Sequence, residues 1–357
     1  MRCGTALAAA ACLFILAGCA PKGPADAGAG QSSVPVIHIT DLTRPHGDPD
    51  DHWDAATQFA LNKKGLIDLR AVITDNLPAL GAPDLEGIAQ LNWITGAGVP
   101  VGVGETTYND SAHSGLALLR KTLEESDSPV AIHVVGGCLD LAAAAKMWPD
   151  LFKEKVKAVY LNAGSAEESQ TLEYNVALHP QEYSEMFSLP CPLYWMPCLQ
   201  NTDEWCAKGG VPGVNSTYFR FTQGRLFKEM RQDLLNYFLF ALTKGEAGGW
   251  LEALSAPYDS EVTDFYGGQV RNMWCTAGFL HCAGLSVWKD GSVQPLGRDS
   301  GEEVFRFVPV EVSCSPEGRV TWSRTDKDCG RFIFEVTDLE AYEEAMTKAL
   351  GEAMSWM

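Results

Sequence analysis

Val34–Lys64 reads VPVIHITDLTRPHGDPDDHWDAATQFALNKK, and two periodicities meet within it. Val34 to Thr40 is an apolar, β-branched run of the kind that forms a buried strand. Asp41 follows at its end, then a Pro/Gly loop, then Asp48, Asp50 and Asp51. From Pro49 the pattern turns helical, with Trp53, Ala56 and Ala60 on one stripe and Gly65 as the stop.

Two readings fit these acids. Asp48 as N-cap, Pro49 at the first helical position and Asp51 three residues after the cap make an ordinary helix start. The helix dipole favours acids in that turn by roughly 0.3–1 kcal/mol each. Capping does not account for Asp41 across the loop, nor for a further acid at Asp50. Carboxylates converging at a strand's end repel one another unless a cation sits among them, and hard oxygen ligands suit Ca²⁺ or Mg²⁺.

The N-terminus reads as targeting sequence. Arg2 supplies a positive end, Ala6–Ile15 is apolar, and Leu16-Ala17-Gly18-Cys19 looks like a bacterial lipobox. Residues 1–18 are then a lipoprotein signal peptide, cleaved before an acylated Cys19. No Asp follows Cys19 to suggest inner-membrane retention. Residues 19–33 are rich in small residues and read as a flexible tether to one domain over 34–357. The expectation is an exported protein, anchored by lipid to a bacterial membrane, in the first instance the outer membrane.

The chain has 357 residues, 46 acids and 27 Lys or Arg, a formal charge of −19. Removal of residues 1–18 takes away the one charge of Arg2 and no acid, leaving −20. Such a surface disfavours nucleic acid and anionic membrane, so membrane contact is expected through the lipid alone. It is compatible with a bound cation and a neutral small-molecule substrate. About 320 residues beyond the tether, with no internal repeat or second linker, suit one large α/β domain.

Eight cysteines remain beyond Cys19: Cys138, Cys191, Cys198, Cys206, Cys275, Cys282, Cys314 and Cys329. None has CxxC spacing, and Cys198 with Cys206 is the pair expected to form a local bridge, the others being buried thiols or bridges in equal measure. Leu69–Thr74, Pro100–Gly104, Val130–Val135, Val156–Asn162 and Pro192–Met196 read as further strands. Between them lie helical patterns over Asp84–Thr95, Ser114–Glu125, Leu139–Leu151 and Pro180–Phe187. This order predicts an α/β fold, a mostly parallel sheet with helices on both faces and a Rossmann-like core. Ligands in such folds bind at the carboxyl ends of the strands, here the loops holding Asp41, Asp75-Asn76, Gly136-Gly137 and Asn162-Ala163-Gly164. A Gly-Gly pair is more often a tight turn than a phosphate cradle.

These segments resemble the inosine–uridine-preferring nucleoside hydrolase family, whose signature is DxDxxxDD after the first strand. Thr40-Asp41 looks like the second half of DxD and Asp50-Asp51 like the closing pair, with an insertion of about four residues between them. Asp54–Asn76 follows the family's helix and second strand, and Pro129–Gly164 its next segment. Leu172-Glu173-Tyr174-Asn175 resembles "AEFN", and Phe279-Leu280-His281-Cys282 stands where the family has "HD". Phe307–Ser313, Arg319–Arg324 and Arg331–Glu335 with a final helix, Leu339–Glu352, are also family-like. The likeness is least over Thr202–Tyr266.

The resemblance implies calcium-assisted cleavage of the N-glycosidic bond of a ribonucleoside or related ribosyl substrate, and a homo-oligomer. Asp41 would ligate the ion and take a proton from water, with Asp51 and the Leu139 backbone carbonyl as further ligands. Asp50, Asn76, Asn162, Glu173 and Asn175 would contact the sugar, and His281 would stand near the departing base as general acid. Two family acids are replaced: Ile39 stands for the first Asp, and Cys282 for the last metal-ligating Asp, a soft ligand for calcium. Asp48 and Asp54 are the acids available to make up the loss. The other function class is a non-catalytic ligand-binding lipoprotein that keeps the crevice. The aromatics of Thr202–Gly224, Trp205, Tyr218, Phe219 and Phe221, read either as a lid on the base or as core.

Overall fold

A computed structural model describes residues 33–44, 49–77, 81–106, 114–245, 249–255, 258–298 and 301–357. The signal segment, Cys19, most of the tether and Asp48 lie outside the described residues. Nine strands form one sheet: β1 (Val34–Thr40), β2 (Ile67–Thr74), β3 (Val101–Val103), β4 (Val130–Val134), β5 (Val156–Asn162), β6 (Leu193–Met196), β7 (Phe305–Cys314), β8 (Val320–Arg324) and β9 (Arg331–Val336). Their spatial order is β8-β7-β9-β6-β5-β4-β1-β2-β3. From β9 through β3 every pairing is parallel; β7 and β8 add an antiparallel edge. The expected mostly parallel α/β sheet is what the chain forms.

Period-two alternation sends successive residues of each strand to two separate cores. Val36, Val72, Ala131 and Tyr160 face one, and Ile37, Ile39, Ile73, Ile132 and Leu161 the other. Both sides are covered by helices, so the inner strands are apolar throughout. On the first face lie α1 (Asp50–Lys63) and α2 (Leu85–Thr95), followed in the chain on the second face by α3 (Ser114–Glu125), α4 (Leu139–Met147) and α5 (Pro149–Lys155). The expected single helix over Leu139–Leu151 is broken at Trp148. Pro149 lacks an N–H, its ring disfavours helical geometry at the residue before it, and Trp148 takes φ −134°.

Helix α1 is buried almost all round. Trp53 stacks on Phe238 with ring centroids 4.0 Å apart and meets Phe221 edge-on at 5.1 Å. Phe219 and Phe221 are therefore core. All eight described cysteines are free thiols, so the Cys198–Cys206 bridge is not formed. Cys206 is exposed on the helix Thr202–Lys208, while Cys198 is buried and its sulfur lies 3.2 Å from the Asn162 Nδ2. Among the described residues no helix is long and apolar enough to cross a membrane.

Candidate active site

A cavity of about 850 Å³ opens over the carboxyl ends of the parallel strands. Asp41, one residue past β1, reaches it directly, and α1 brings Asp50, Asp51 and Asp54 to the same wall. Pro49 occupies the N-cap position of α1, one residue later than the Asp48 cap the sequence suggests, and makes no side-chain capping bond. Asp51 instead accepts a 2.8 Å hydrogen bond from the Thr40 hydroxyl, which ties the helix start to the strand end. Burial pushes the Asp51 carboxyl well above the usual carboxylate range, and Asp41, Asp50 and Asp54 push it further. Asp54 is raised to about 7, chiefly by burial and then by Asp41, against a hydrogen bond with Cys275. It is 1% exposed, and its Oδ1 has no hydrogen-bond partner. Four carboxylates on one turn and one strand end thus make a site that positive charge would stabilise.

The Gly136-Gly137 backbone packs against Asp41 and Asp75. Gly137 N donates to Asp75 Oδ2 at 2.5 Å. A Cβ on Gly136 would lie 2.5 Å from that oxygen and 2.7 Å from the Asp41 nitrogen, so glycine is required by close approach. Asp75 is buried and its carboxyl is held well above the ordinary range by burial, Asp140 and Asp41.

Across the cavity, Glu173 caps the short helix Tyr174–Leu178. Its carboxylate accepts from the Gly164, Asn175 and Val176 nitrogens at 2.8, 3.1 and 3.4 Å. Burial still raises its pKa, with those N–H groups opposing. Asn175 donates to the Val135 carbonyl at 3.1 Å and leaves its Oδ1 without a partner. Tyr174, 50% exposed, Trp205 and Trp274 also line the cavity.

The structure gathers Asp41, Asp50, Asp51, Glu173 and Asn175 on one cavity. It separates the remaining expected residues from it. Asn76 is partly exposed and does not line the cavity. Asn162 is fully buried just beneath, with its Nδ2 2.9 Å from the Met196 carbonyl and 3.2 Å from both Cys198 Sγ and Thr217 Oγ1. It positions cavity residue Cys198 from below. Leu139 is buried as the first residue of α4 and does not line the cavity; Val135, whose carbonyl accepts from Asn175 Nδ2, does.

His281 and Cys282 end the helix Thr276–Cys282, far along it from the cavity side. His281 Nδ1 is 3.0 Å from the Tyr160 hydroxyl and packs among Tyr194 and Phe307, and burial lowers its pKa to about 4. Cys282 is in the core with its thiol pushed up to about 12 by burial. At the start of the same helix, Trp274 and Cys275 face the cavity. The reason is simple: a helix presents its N-terminus to strand carboxyl ends, so the residues ahead of the helix, not those at its end, reach a ligand. Asp54 also lines the wall, as its spacing three and four residues after Asp51 and Asp50 allows. Ile39, in the place of the family's first acid, is 0% exposed in the second core.

The donor chemistry of the four aspartates suits a hard cation, and the orphaned Asp54 oxygen and the Val135 carbonyl are further hard donors. Among the described residues no three Asp, Glu, His or Cys side chains close to ligating distance, so no coordination geometry is assigned.

No model of a known protein family matches the chain, and no curated protein matches it. Solved structures do. The purine-preferring ribonucleoside hydrolase of Gardnerella vaginalis is 10% identical with a TM-score of 0.53, over 89% of this chain and 99% of that one. The plant nucleoside hydrolase PpNRh1 is 14% identical with a TM-score of 0.52, over 88% and 98%. The type III effector protein XopQ, solved with adenosine diphosphate ribose, is 14% identical with a TM-score of 0.51, over 91% and 95%. Nearly whole chains align at identities that preserve backbone path and little else. The chain is a divergent bearer of the nucleoside hydrolase fold.

Proposed function

We propose that the protein is a glycosidase that hydrolyses the N-glycosidic bond of a ribonucleoside or a related ribosyl compound. The observation that carries this is the meeting of Asp41, Asp50 and Asp51 with Glu173 and Asn175 on one cavity over the strand ends. A 850 Å³ cavity has room for a nucleoside and more. Asp50 and Asn175 would hydrogen-bond the ribose hydroxyls, the latter through its unpartnered Oδ1. Asp41 would accept the proton of the attacking water. The surrounding carboxylates favour the positive charge that grows on the sugar ring as the bond lengthens. Glu173 holds the Tyr174–Leu178 helix and so places Asn175.

The residues that would hold a calcium ion are Asp41 and Asp51, with Asp54 in place of the missing family acid and the Val135 carbonyl nearby. Bound there, the ion would supply positive charge that acidifies water and offsets carboxylate repulsion. Export and acylation at Cys19 are part of the same proposal; incorporation of labelled palmitate, lost in Cys19→Ala, tests them. The activity test is reducing-sugar release from purine and pyrimidine nucleosides, with calcium and with chelator. Chelator-sensitive release supports enzyme and ion together. Release indifferent to chelator removes the ion, and none from any substrate removes the enzyme.

A further inference from the structure

The chain between β5 and the Tyr174–Leu178 helix, residues 163–173, brings Thr171, Leu172 and Glu173 to the cavity. The same three residues also line a second cavity of about 90 Å³, together with Val176, Tyr183 and Arg319. A segment shared by two cavities gains less from packing than one seated on the core, so its hydrogen bonds carry more of its placement.

Those bonds change character along the segment. Its first part prolongs the sheet: Ser165 bridges Leu199 in parallel, Ala166 N donates to Leu199 O at 3.0 Å, and Glu167 N to Gln200 O at 2.8 Å. That pairing stops because a helix begins at Thr202 and turns its backbone groups along its own axis. From Glu168 onward side chains take over. Asn201 Nδ2 donates to Glu168 O at 3.1 Å, and the Ser169 hydroxyl accepts from Thr202 N at 3.0 Å. The Asp203 carboxylate accepts from Gln170 N at 2.7 Å and from Thr171 N at 3.0 Å. Arg319, in the turn between β7 and β8, donates to the Ser169 carbonyl and, at 2.6 Å, to the Gln170 carbonyl.

Two side chains of opposite charge thus hold one stretch of backbone, Asp203 by its N–H groups and Arg319 by its carbonyls. Hydrogen bonds to an ionised partner are roughly twice as strong as neutral ones. Bonds from the Thr171 side chain and from the Gln170 and Thr171 nitrogens hold the Asp203 carboxyl below its ordinary range, so it is ionised at neutral pH. Two residues beyond Thr171, Glu173 ties the segment back on itself by accepting from Gly164 N at 2.8 Å. The same carboxylate caps the helix that carries Asn175. Neither Asp203 nor Arg319 lines the larger cavity, so each acts through the segment it holds.

We propose that Asp203 and Arg319 are positioning residues of the site, which jointly set where Glu173 and Asn175 stand. That Asn175 meets a sugar there rests on the glycosidase reading above; the placement itself rests on the contacts.

The test compares Asp203→Asn and Arg319→Gln with wild type in the full chain, by hydrogen exchange read with mass spectrometry and by cleavage of inosine and uridine. Asparagine keeps the size of Asp203 but turns an NH₂ group toward one of two N–H groups, and glutamine has no charged fork to span two carbonyls. Glu204→Gln is the control: it removes a charge from the same first turn of the helix, and that carboxylate bonds to Lys208 rather than to the segment. The amides of Asn175, Val176 and Ala177 bond to Glu173 and report on its placement. They are expected to exchange about 10-fold faster or more in both variants and at the wild-type rate in the control, with the sheet amides unchanged in all three. A fall of about 10-fold or more in kcat/KM is expected for the same two variants. The double variant is expected within about 2-fold of the worse single one, because either loss frees the same stretch.

Exchange at 175–177 as slow as in wild type overturns the proposal. So does exchange that rises equally across the sheet, which marks a general loss of stability, or a kcat/KM equal to the control's. An additive double variant overturns the joint hold. A wild type that cleaves no nucleoside removes the glycosidase reading, and the exchange rates then decide the placement by themselves.

Discussion

Gly136→Ala is the substitution that most directly tests how the site is built. Its new Cβ would stand 2.5 Å from Asp75 Oδ2, 2.7 Å from the Asp41 nitrogen and 2.9 Å from the Asp41 Cβ. Ordinary contact begins at 3.4 Å, so the Asp41 backbone must yield by roughly 0.7 Å, and the Asp75 side chain by more. Asp75 cannot simply rotate away, because it accepts from Gly137 N at 2.5 Å in a buried position. Nor is the strand end free, since Thr40 O accepts from Asp75 N at 2.8 Å and Ile39 O from Val135 N at 3.0 Å. Overpacking of this kind costs about 1–3 kcal/mol. Displacing a catalytic group by nearly 1 Å costs on the order of 10²-fold in rate. Urea denaturation measures the first and sugar release the second. Gly268→Ala is the control: its Cβ would meet nothing closer than 3.4 Å, and its backbone is already helical at φ −71°, so stability should change by less than about 0.5 kcal/mol. If Gly136→Ala matches wild type in both assays, the turn does not set the position of Asp41.

Other predictions concern the helix starts, the ion and the core. Asp84 caps α2 through Gly87 N at 3.0 Å and pairs with buried His52 Nε2 at 3.1 Å, so Asp84→Ala should cost about 2–4 kcal/mol in urea melts, well above a simple cap. Asp51→Asn should abolish stabilisation by calcium, which for wild type at 100 times Kd should be about 2.7 kcal/mol; calcium stabilising both equally would remove Asp51 from the ligand set. Burial keeps His281 neutral down to about pH 4, whereas an unfolded histidine takes its proton near 6.5. Its contribution to stability is therefore full above pH 6.5 and lost as pH falls toward 4. His281→Phe should remove about 1.4 kcal/mol per pH unit of that acid dependence between pH 6 and 4. A variant whose stability runs parallel to wild type over that range would place His281 in contact with solvent.

Sequence alone determined the sheet. The inner parallel strands are buried on both faces, and such strands announce themselves as short apolar runs, so Val34–Thr40 and Val156–Asn162 lie where their residues predict. The helix Ser114–Glu125 does likewise. Asp41, Asp50 and Asp51 were also legible, because a loop at a strand's carboxyl end has one crevice to face. The rest of the site was not. Trp274 and Cys275 reach the cavity because they precede a helix aimed at it, whereas His281, half-buried, and Cys282, in the core, sit a turn or more further along with the more suggestive chemistry. Val135 rather than Leu139 lines the cavity, a difference of four residues that only the path of the chain between them decides. Trp205 and Phe221 come from the same aromatic-rich segment, yet one lines the cavity and the other packs on Trp53. Local pattern states which residues must leave water. Which of them meet a ligand depends on contacts between elements distant in the chain, and those exist only once the chain has packed.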